Sequence, residues 1–438
     1  FLKHKACKVK EFWDNSKKTK EAIMEALDQI LYQAVFEENP EEKNRKLKTL
    51  LQTLNDKGYK GESIYPLYRK FSEKFLGFTV PAMNIRGMTY DVARRIFRVA
   101  KRLKVGAFIF EIAKSEMGYT KQDPLEYATV ILSAAYRENF DGPVFIQGDH
   151  FQLNRKSFFA NPEREKESLK RLIKEALSAQ FYNIDIDAST LVELEKETVE
   201  EQQRYNYEVT AELAEYVRAL EPEGVIVNLG GEIGEIGGHN STPEELRAFL
   251  TGFNKTFKGK VGLSKISVQT GTSHGGVVLP DGRVAEVALD FNVLKTLSRI
   301  ARNEFGLAGA VQHGASTLPE EAFYKFPESE CVEVHLATGF QNFLYDHPAL
   351  PKEFREKIYY YLKTNLKHEW KEGLSEAQFL YKTRKKGFGI FKRDWWDLSE
   401  DVKEKILSDM EGLFEKIFKA LNVVNTKDLI KEIFNKKN

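Results

Sequence analysis

Val144-Phe145-Ile146-Gln147-Gly148-Asp149-His150 is an apolar run that ends in an acid and an imidazole. A buried parallel strand reads as a short continuous apolar segment. Polar groups at its C-terminal end mark the point where it opens into a site. Two more runs end the same way. Ile266-Ser267-Val268-Gln269 leads into Thr270-Gly271-Thr272-Ser273-His274-Gly275-Gly276, and Ala310-Val311-Gln312 leads into His313-Gly314-Ala315-Ser316. Three imidazoles at strand ends, each close to glycine, suit convergence on one metal ion. Zinc accepts neutral imidazole, and three protein ligands leave a fourth position for substrate. His150, His274 and His313 are therefore the expected metal ligands.

Outward from this stretch, short apolar runs alternate with amphipathic helices. Phe78–Asn84 and Val105–Ile112 precede it. Asn183–Asp187, Val225–Leu229, Ile266–Gln269, Ala308–Gln312 and Cys331–Leu336 follow it. Helices are expected at Tyr90–Arg102, Tyr127–Tyr136, Lys166–Ser178, Glu193–Leu220 and Leu294–Asn303. Eight strand–helix units in about 270 residues is the period of a (β/α)8 TIM barrel. A doubly wound sheet shares the alternation. The polar strand ends (Asn84, Glu111, Asp149, His150, Asp187, Glu232, His274, His313, His335) favour the barrel, where they meet at one face. The expected fold class is α/β: a TIM-barrel catalytic domain at 76–350, with helical extensions at 1–75 and 351–438. Within the last of these, the basic stretch Lys382-Thr383-Arg384-Lys385-Lys386-Gly387 reads as a solvated loop.

Composition narrows the partners. Lys and Arg total 66 against 65 Asp and Glu, so no net field draws the chain to nucleic acid or to an anionic membrane. Cys7 and Cys331 are the only cysteines, which excludes a disulfide framework or a Cys-based zinc site. The expected compartment is a reducing cytoplasm.

Asp149 adjoins an expected ligand. It is placed to exchange a proton with substrate, or alternatively to orient an imidazole. The glycines around His274 and His313, with the hydroxyls of Ser273, Ser316 and Thr338, would admit an anion such as phosphate. Gly230–Gly238 lacks dinucleotide spacing and carries acids, so it reads as a mobile lid. His239 follows it, in a structural, surface or catalytic role. Lys265 opens its strand, away from the expected active face, and Lys114 is the alternative Schiff-base lysine.

Taken in order, these segments resemble the class II (zinc-dependent) fructose/tagatose-bisphosphate aldolase family over about residues 78–345. Val80-Pro81-Ala82-Met83-Asn84 resembles its first strand, and Gly148-Asp149-His150 its Asp-His pair. Asp185-Ile186-Asp187-Ala188-Ser189 is similar to its Asp-Ala/Gly-Ser turn. Glu232-Ile233-Gly234 with Gly237-Gly238 resembles its lid. The segments around His274 and His313 resemble those that hold its other zinc histidines and its phosphate.

The resemblance implies a lyase of carbohydrate metabolism, placed in glycolysis. It would cleave fructose or tagatose 1,6-bisphosphate reversibly to dihydroxyacetone phosphate and glyceraldehyde 3-phosphate. Zinc on His150, His274 and His313 is implied, with another divalent transition metal as the alternative and a monovalent cation as an accessory. Asp149 would exchange the C4 hydroxyl proton, and Glu232, Glu235 or His239 the C3 proton. Asn84, Gly275, Gly314, Ser316 and Thr338 would bind substrate and phosphate. The partner is a small sugar phosphate, with a homo-oligomer expected and neither nucleic acid nor membrane.

The chain departs from the family where acids usually follow the Gly-Gly and His239 and Asn240 stand instead. It departs again at His335-Leu336-Ala337-Thr338-Gly339, where the family carries Asn-x-x-Thr-Asp, and at Thr317, where it carries glycine. These changes touch substrate and phosphate contacts. They keep two alternatives open: a related metal enzyme that epimerises or cleaves another ketose, and a non-catalytic assembly subunit.

Overall fold

The computed structural model describes residues 20–233, 239–271, 279–280 and 289–435. Eight parallel strands close into a barrel: β1 (Val80–Asn84), β2 (Ile109–Ala113), β3 (Val144–Gln152), β4 (Asn183–Asp187), β5 (Asn228–Glu232), β6 (Lys265–Val268), β7 (Ala310–Gln312) and β8 (Glu333–Leu336). Each strand pairs with its neighbour in the chain. β8 pairs back onto β1, with Val80 opposite Glu333, and closes the ring. The fold is the expected (β/α)8 barrel. Strands buried on both faces read as continuous apolar runs, which is why they were legible.

Three boundaries differ from expectation. The helix expected from Glu193 spans Val199–Leu220, because Thr198 and Glu201 cap it reciprocally. The apolar run at Val225 straddles a turn, with the Val225 amide bonded to the Pro222 carbonyl, so β5 begins only at Asn228. The two residues Gly61 and Glu62 pair in parallel with Val144 and Phe145; so short a strand carries no periodicity to read.

The terminal helices share the barrel's hydrophobic core, which runs without a break from Leu27 to Ile430. Helix Pro40–Asp56 packs on Pro124–Arg137, and Glu400–Ala420 packs on Thr89–Arg102. Trp396 ties both ends of the chain to the barrel. Its ring stacks on Tyr90 at 6.0 Å and meets Tyr32 and Phe36 edge-on. Such contacts add about 0.5–1.5 kcal/mol each beyond the area they bury. No helix among the described residues is long and apolar enough to cross a membrane.

The expectation of a solvated loop at Lys382–Gly387 is corrected. Thr383 and Arg384 are buried. The Arg384 guanidinium donates to Asp346 at 2.6 and 3.0 Å and to Asn342 at 2.8 Å. A run of basic residues does not reveal an acid 38 positions upstream that neutralises one of them.

Candidate active site

The C-terminal ends of the strands open into a cavity of about 890 Å3. Two consecutive residues of β3, Asp149 and His150, both line it. In a regular strand they would face opposite ways. Here the register between β3 and β4 shifts between Gly148 and Phe151, and His150 takes a φ of +41°. A bulge of this kind re-aims side chains, and the left-handed conformation of a non-glycine residue costs on the order of 1–3 kcal/mol.

His150 Nδ1 lies 2.9 Å from Asp187 Oδ2 and 3.1 Å from Glu232 Oε2. Asp187 is itself anchored. Its Oδ1 accepts from the Ser189 hydroxyl at 2.6 Å, and its Oδ2 from the Gln152 amide at 2.6 Å. The His313 ring stands 4.3 Å from that of His150 and 4.2 Å from that of His335. Glu232 Oε1 reaches to 3.7 Å from His313 Nδ1. Asp149 Oδ1 faces three imidazoles, at 3.2 Å from His335, 3.7 Å from His313 and 3.9 Å from His150.

Three overlapping groups could hold a metal ion. His150, Glu232 and His313 form one, Asp149, His313 and His335 a second, and Glu111, Glu333 and His335 a third; in each, the ligand atoms lie within 4.8 Å of one another. Imidazole mixed with carboxylate suits zinc and several other first-row divalent ions. The electrostatics differ from one imidazole to the next. Burial, with His335 and His150 nearby, brings His313 down to about 3, so its ring is neutral as a ligand must be. Burial alone would raise Asp149, but His150, His335 and His313 outweigh it and hold the carboxylate well below its usual range. Burial opposes charge on His150 too, yet Asp149, Glu232 and Asp187 raise its pKa well above the usual value.

Beneath this cluster the barrel interior is ionic. Lys265 Nζ is fully buried, 2.5 Å from Glu333, 2.9 Å from Asp185 and 2.8 Å from Gln147. Its pKa is raised, because Asp185 and Glu333 overcome the burial that would lower it. A lysine so paired stays protonated and is not a nucleophile. Glu333 also takes a hydrogen bond from Tyr68 of the N-terminal addition.

The remaining expected residues divide by place. Asn84, Gly314, Ser316 and Thr338 line the cavity. The Asn84 amide donates to Glu116 at 2.6 Å, and Ser316 Oγ accepts from the Gly339 amide at 3.0 Å. Glu232 joins the imidazole cluster. His239 does not: it is half-exposed, with Nδ1 2.7 Å from the Asn240 carbonyl and Nε2 3.8 Å from Glu245. His274, Gly275 and Glu235 lie outside the described residues. Asp187 and His335, strand-end polar groups outside the expected ligand set, both contact the cluster directly. The Asp-Ile-Asp-Ala-Ser turn was the available signal for Asp187. Lys385 also lines the cavity, and no local signal marked it.

The model of class II fructose-bisphosphate aldolases matches residues 72–386, most of the chain. The chain belongs to the class II fructose-bisphosphate aldolase family. A comparison with curated proteins finds no match. Among solved structures, this family member is similar to the fructuronate-tagaturonate epimerase UxaE of Cohnella laeviribosi, at TM-score 0.57 and 12% identity, over 89% of this chain and 86% of that one. It is also similar to a probable tagatose 6 phosphate kinase of Sinorhizobium meliloti 1021, at TM-score 0.54 and 14% identity, over 82% and 100%. A putative fructose-1,6-biphosphate aldolase of Coccidioides immitis aligns at TM-score 0.48 and 19% identity, over 83% and 98%. At these identities the first two likenesses are of fold, and the third carries no argument.

Proposed function

We propose that this protein cleaves and re-forms the C3–C4 bond of an anionic ketose, as a metal-dependent aldolase acting on fructose or tagatose 1,6-bisphosphate. One observation carries the reading. The Asp149 carboxylate stands at the cavity floor beside His150 and His313, within 3.9 Å of both rings. A proton acceptor next to a metal-capable group is what retro-aldol cleavage needs.

His150, Glu232 and His313 would hold the metal, with His274 as the further ligand implied by the family. When bound, the metal supplies Lewis acidity that polarises the ketose carbonyl. Asp149 takes the proton from the C4 hydroxyl as the C3–C4 bond breaks and returns it on condensation. The carboxylate is ionised, as a proton acceptor must be. Asp187 keeps the His150 ring oriented. Arg86, Lys114, Arg155, Lys156 and Lys385 place cationic charge around the cavity, which favours an anionic substrate.

A second reading is favoured by two observations. Ser316 and the Gly339 amide satisfy each other, which removes one backbone donor from the expected phosphate cradle. His335 fills the floor where the family carries asparagine. Both fit re-addition of the cleaved aldehyde through its other face, which would epimerise a ketose at C4; the substrate would then be a keto acid such as the fructuronate named for the Cohnella enzyme.

The test is incubation of zinc-loaded protein with fructose 1,6-bisphosphate, tagatose 1,6-bisphosphate and fructuronate, with and without chelator. Triose phosphate release that chelator abolishes and zinc restores supports the aldolase. Conversion of fructuronate to its C4 epimer without release supports the second reading. Inertness toward all three sinks both.

A further inference from the structure

The barrel alone does not complete the cavity. Lys385, far beyond the last strand, lines it beside Arg86 and Tyr119. The turn that carries Lys385 is locked in place. Arg384 is anchored to Asp346, and Lys386 pairs with Glu369. A Cβ on Gly87, after β1, would collide with the Phe388 ring. One on Gly389 would collide with the Tyr119 carbonyl, in helix Lys114–Thr120 after β2. Only glycine permits approach this close, so the C-terminal addition is built against the mouth of the barrel.

Lys385 differs from the paired cations there, and from Lys156, which is exposed to solvent. Arg86 is neutralised by Glu116, at 2.6 and 2.7 Å. Lys114 donates to the Gln152 carbonyl, and Arg155 to those of Thr190 and Val192. Lys385 forms no ion pair among the described residues; its Nζ sits 5.3 Å from the centre of the Tyr119 ring. Burial, with Arg86 close by, lowers its pKa, so its charge is uncompensated where it stands. The Tyr119 hydroxyl is buried, with the Glu116 carboxylate as its neighbour. A buried hydroxyl in the cavity wall, beside a cation without an ion pair, describes a place for an oxyanion.

We propose that Lys385 and Tyr119 form a subsite for the anionic terminus of the substrate, a phosphate monoester or a carboxylate, so that the helical segment after the barrel takes part in substrate recognition. The identity of that substrate as a ketose rests on the function proposed above; the subsite itself does not.

The test uses the full chain as wild type, Lys385→Met, Lys385→Arg and, as a control for charge, Lys382→Met in the exposed part of the same segment. Inorganic phosphate and acetate are titrated first, with thermal unfolding as the readout. Fructose 1,6-bisphosphate, fructuronate and neutral fructose follow by calorimetry. Wild type and Lys382→Met should bind at least one of the two simple anions, Lys385→Met at least tenfold more weakly, and Lys385→Arg in between. Preference for phosphate or for acetate separates the two anion sources. The charged ketose that binds should lose at least tenfold with Lys385→Met, while fructose is unaffected. Anion binding that depends on Lys385, with no ketose bound, keeps the subsite and removes the ketose reading. Equal anion binding by wild type and Lys385→Met overturns the proposal.

Discussion

The His335 imidazole and the Asp149 carboxylate meet at 3.2 Å inside the barrel. His335 also lies 3.1 Å from Glu111, 2.6 Å from Glu333 and 3.7 Å from Asp185, so one buried ring faces four acids. Burial would lower its pKa, but Glu111, Asp149 and Glu333 raise it well above the usual value. The folded state therefore holds this proton more tightly than the unfolded chain does. That contribution is complete below the unfolded value of about 6.5 and is lost as pH rises through the folded one. His335→Asn leaves buried carboxylates uncompensated and should cost about 3–5 kcal/mol. Urea unfolding of metal-free protein should show the gap between wild type and variant narrowing from pH 6 to pH 9. A gap constant across that range would rule out a charged His335.

Asp149→Asn should lower kcat by about 10²–10⁴, the usual contribution of a positioned acid or base. Metal content, measured by elemental analysis, should not change. Loss of metal instead would place Asp149 among the ligands, in the group it forms with His313 and His335.

Asp187 touches no substrate in this scheme, yet it anchors His150 at 2.9 Å. Asp187→Asn should weaken metal binding about 10–100-fold while the fold is kept. Competition with a chromogenic chelator reads this directly. Unchanged affinity would mean that His150 needs no such partner.

Metal itself should stabilise the protein. Binding confined to the folded state adds about 4 kcal/mol at a thousandfold excess over Kd. Chelator should lower Tm, and added zinc should restore it. His313→Ala should shrink or abolish the difference, because His313 belongs to two of the three metal-capable groups among the described residues.

Lys265 neutralises Asp185 and Glu333 with no access to solvent. Lys265→Met should destabilise the fold by about 3–5 kcal/mol, since Asp185 and Glu333 would then keep only His335 as a counter-charge. Burial already pushes Asp185 up to about 6, with Lys265 holding it lower than burial alone would. Without the lysine it should take up a proton near neutrality, so the variant should be least stable at alkaline pH, as chemical unfolding across pH will reveal.

The sequence by itself determined the barrel and the place of the site. Both follow from local rules: buried parallel strands are apolar throughout, helices repeat every 3.6 residues, and polar groups at strand ends share one face. The tertiary structure alone decided what those polar groups touch. The bulge that turns Asp149 and His150 into one cavity depends on the register between β3 and β4. The bond between Asp187 and His150 spans two strands, and the carboxylates around His335 come from four. His239 reads as structural, surface or catalytic, and its side chain lies out by Glu245. Lys385 looks like one more solvated lysine until Arg384 finds Asp346 and Gly389 meets Tyr119. Periodicity records which face a residue occupies. Partners far apart in the chain are chosen by packing, and no local pattern encodes that choice.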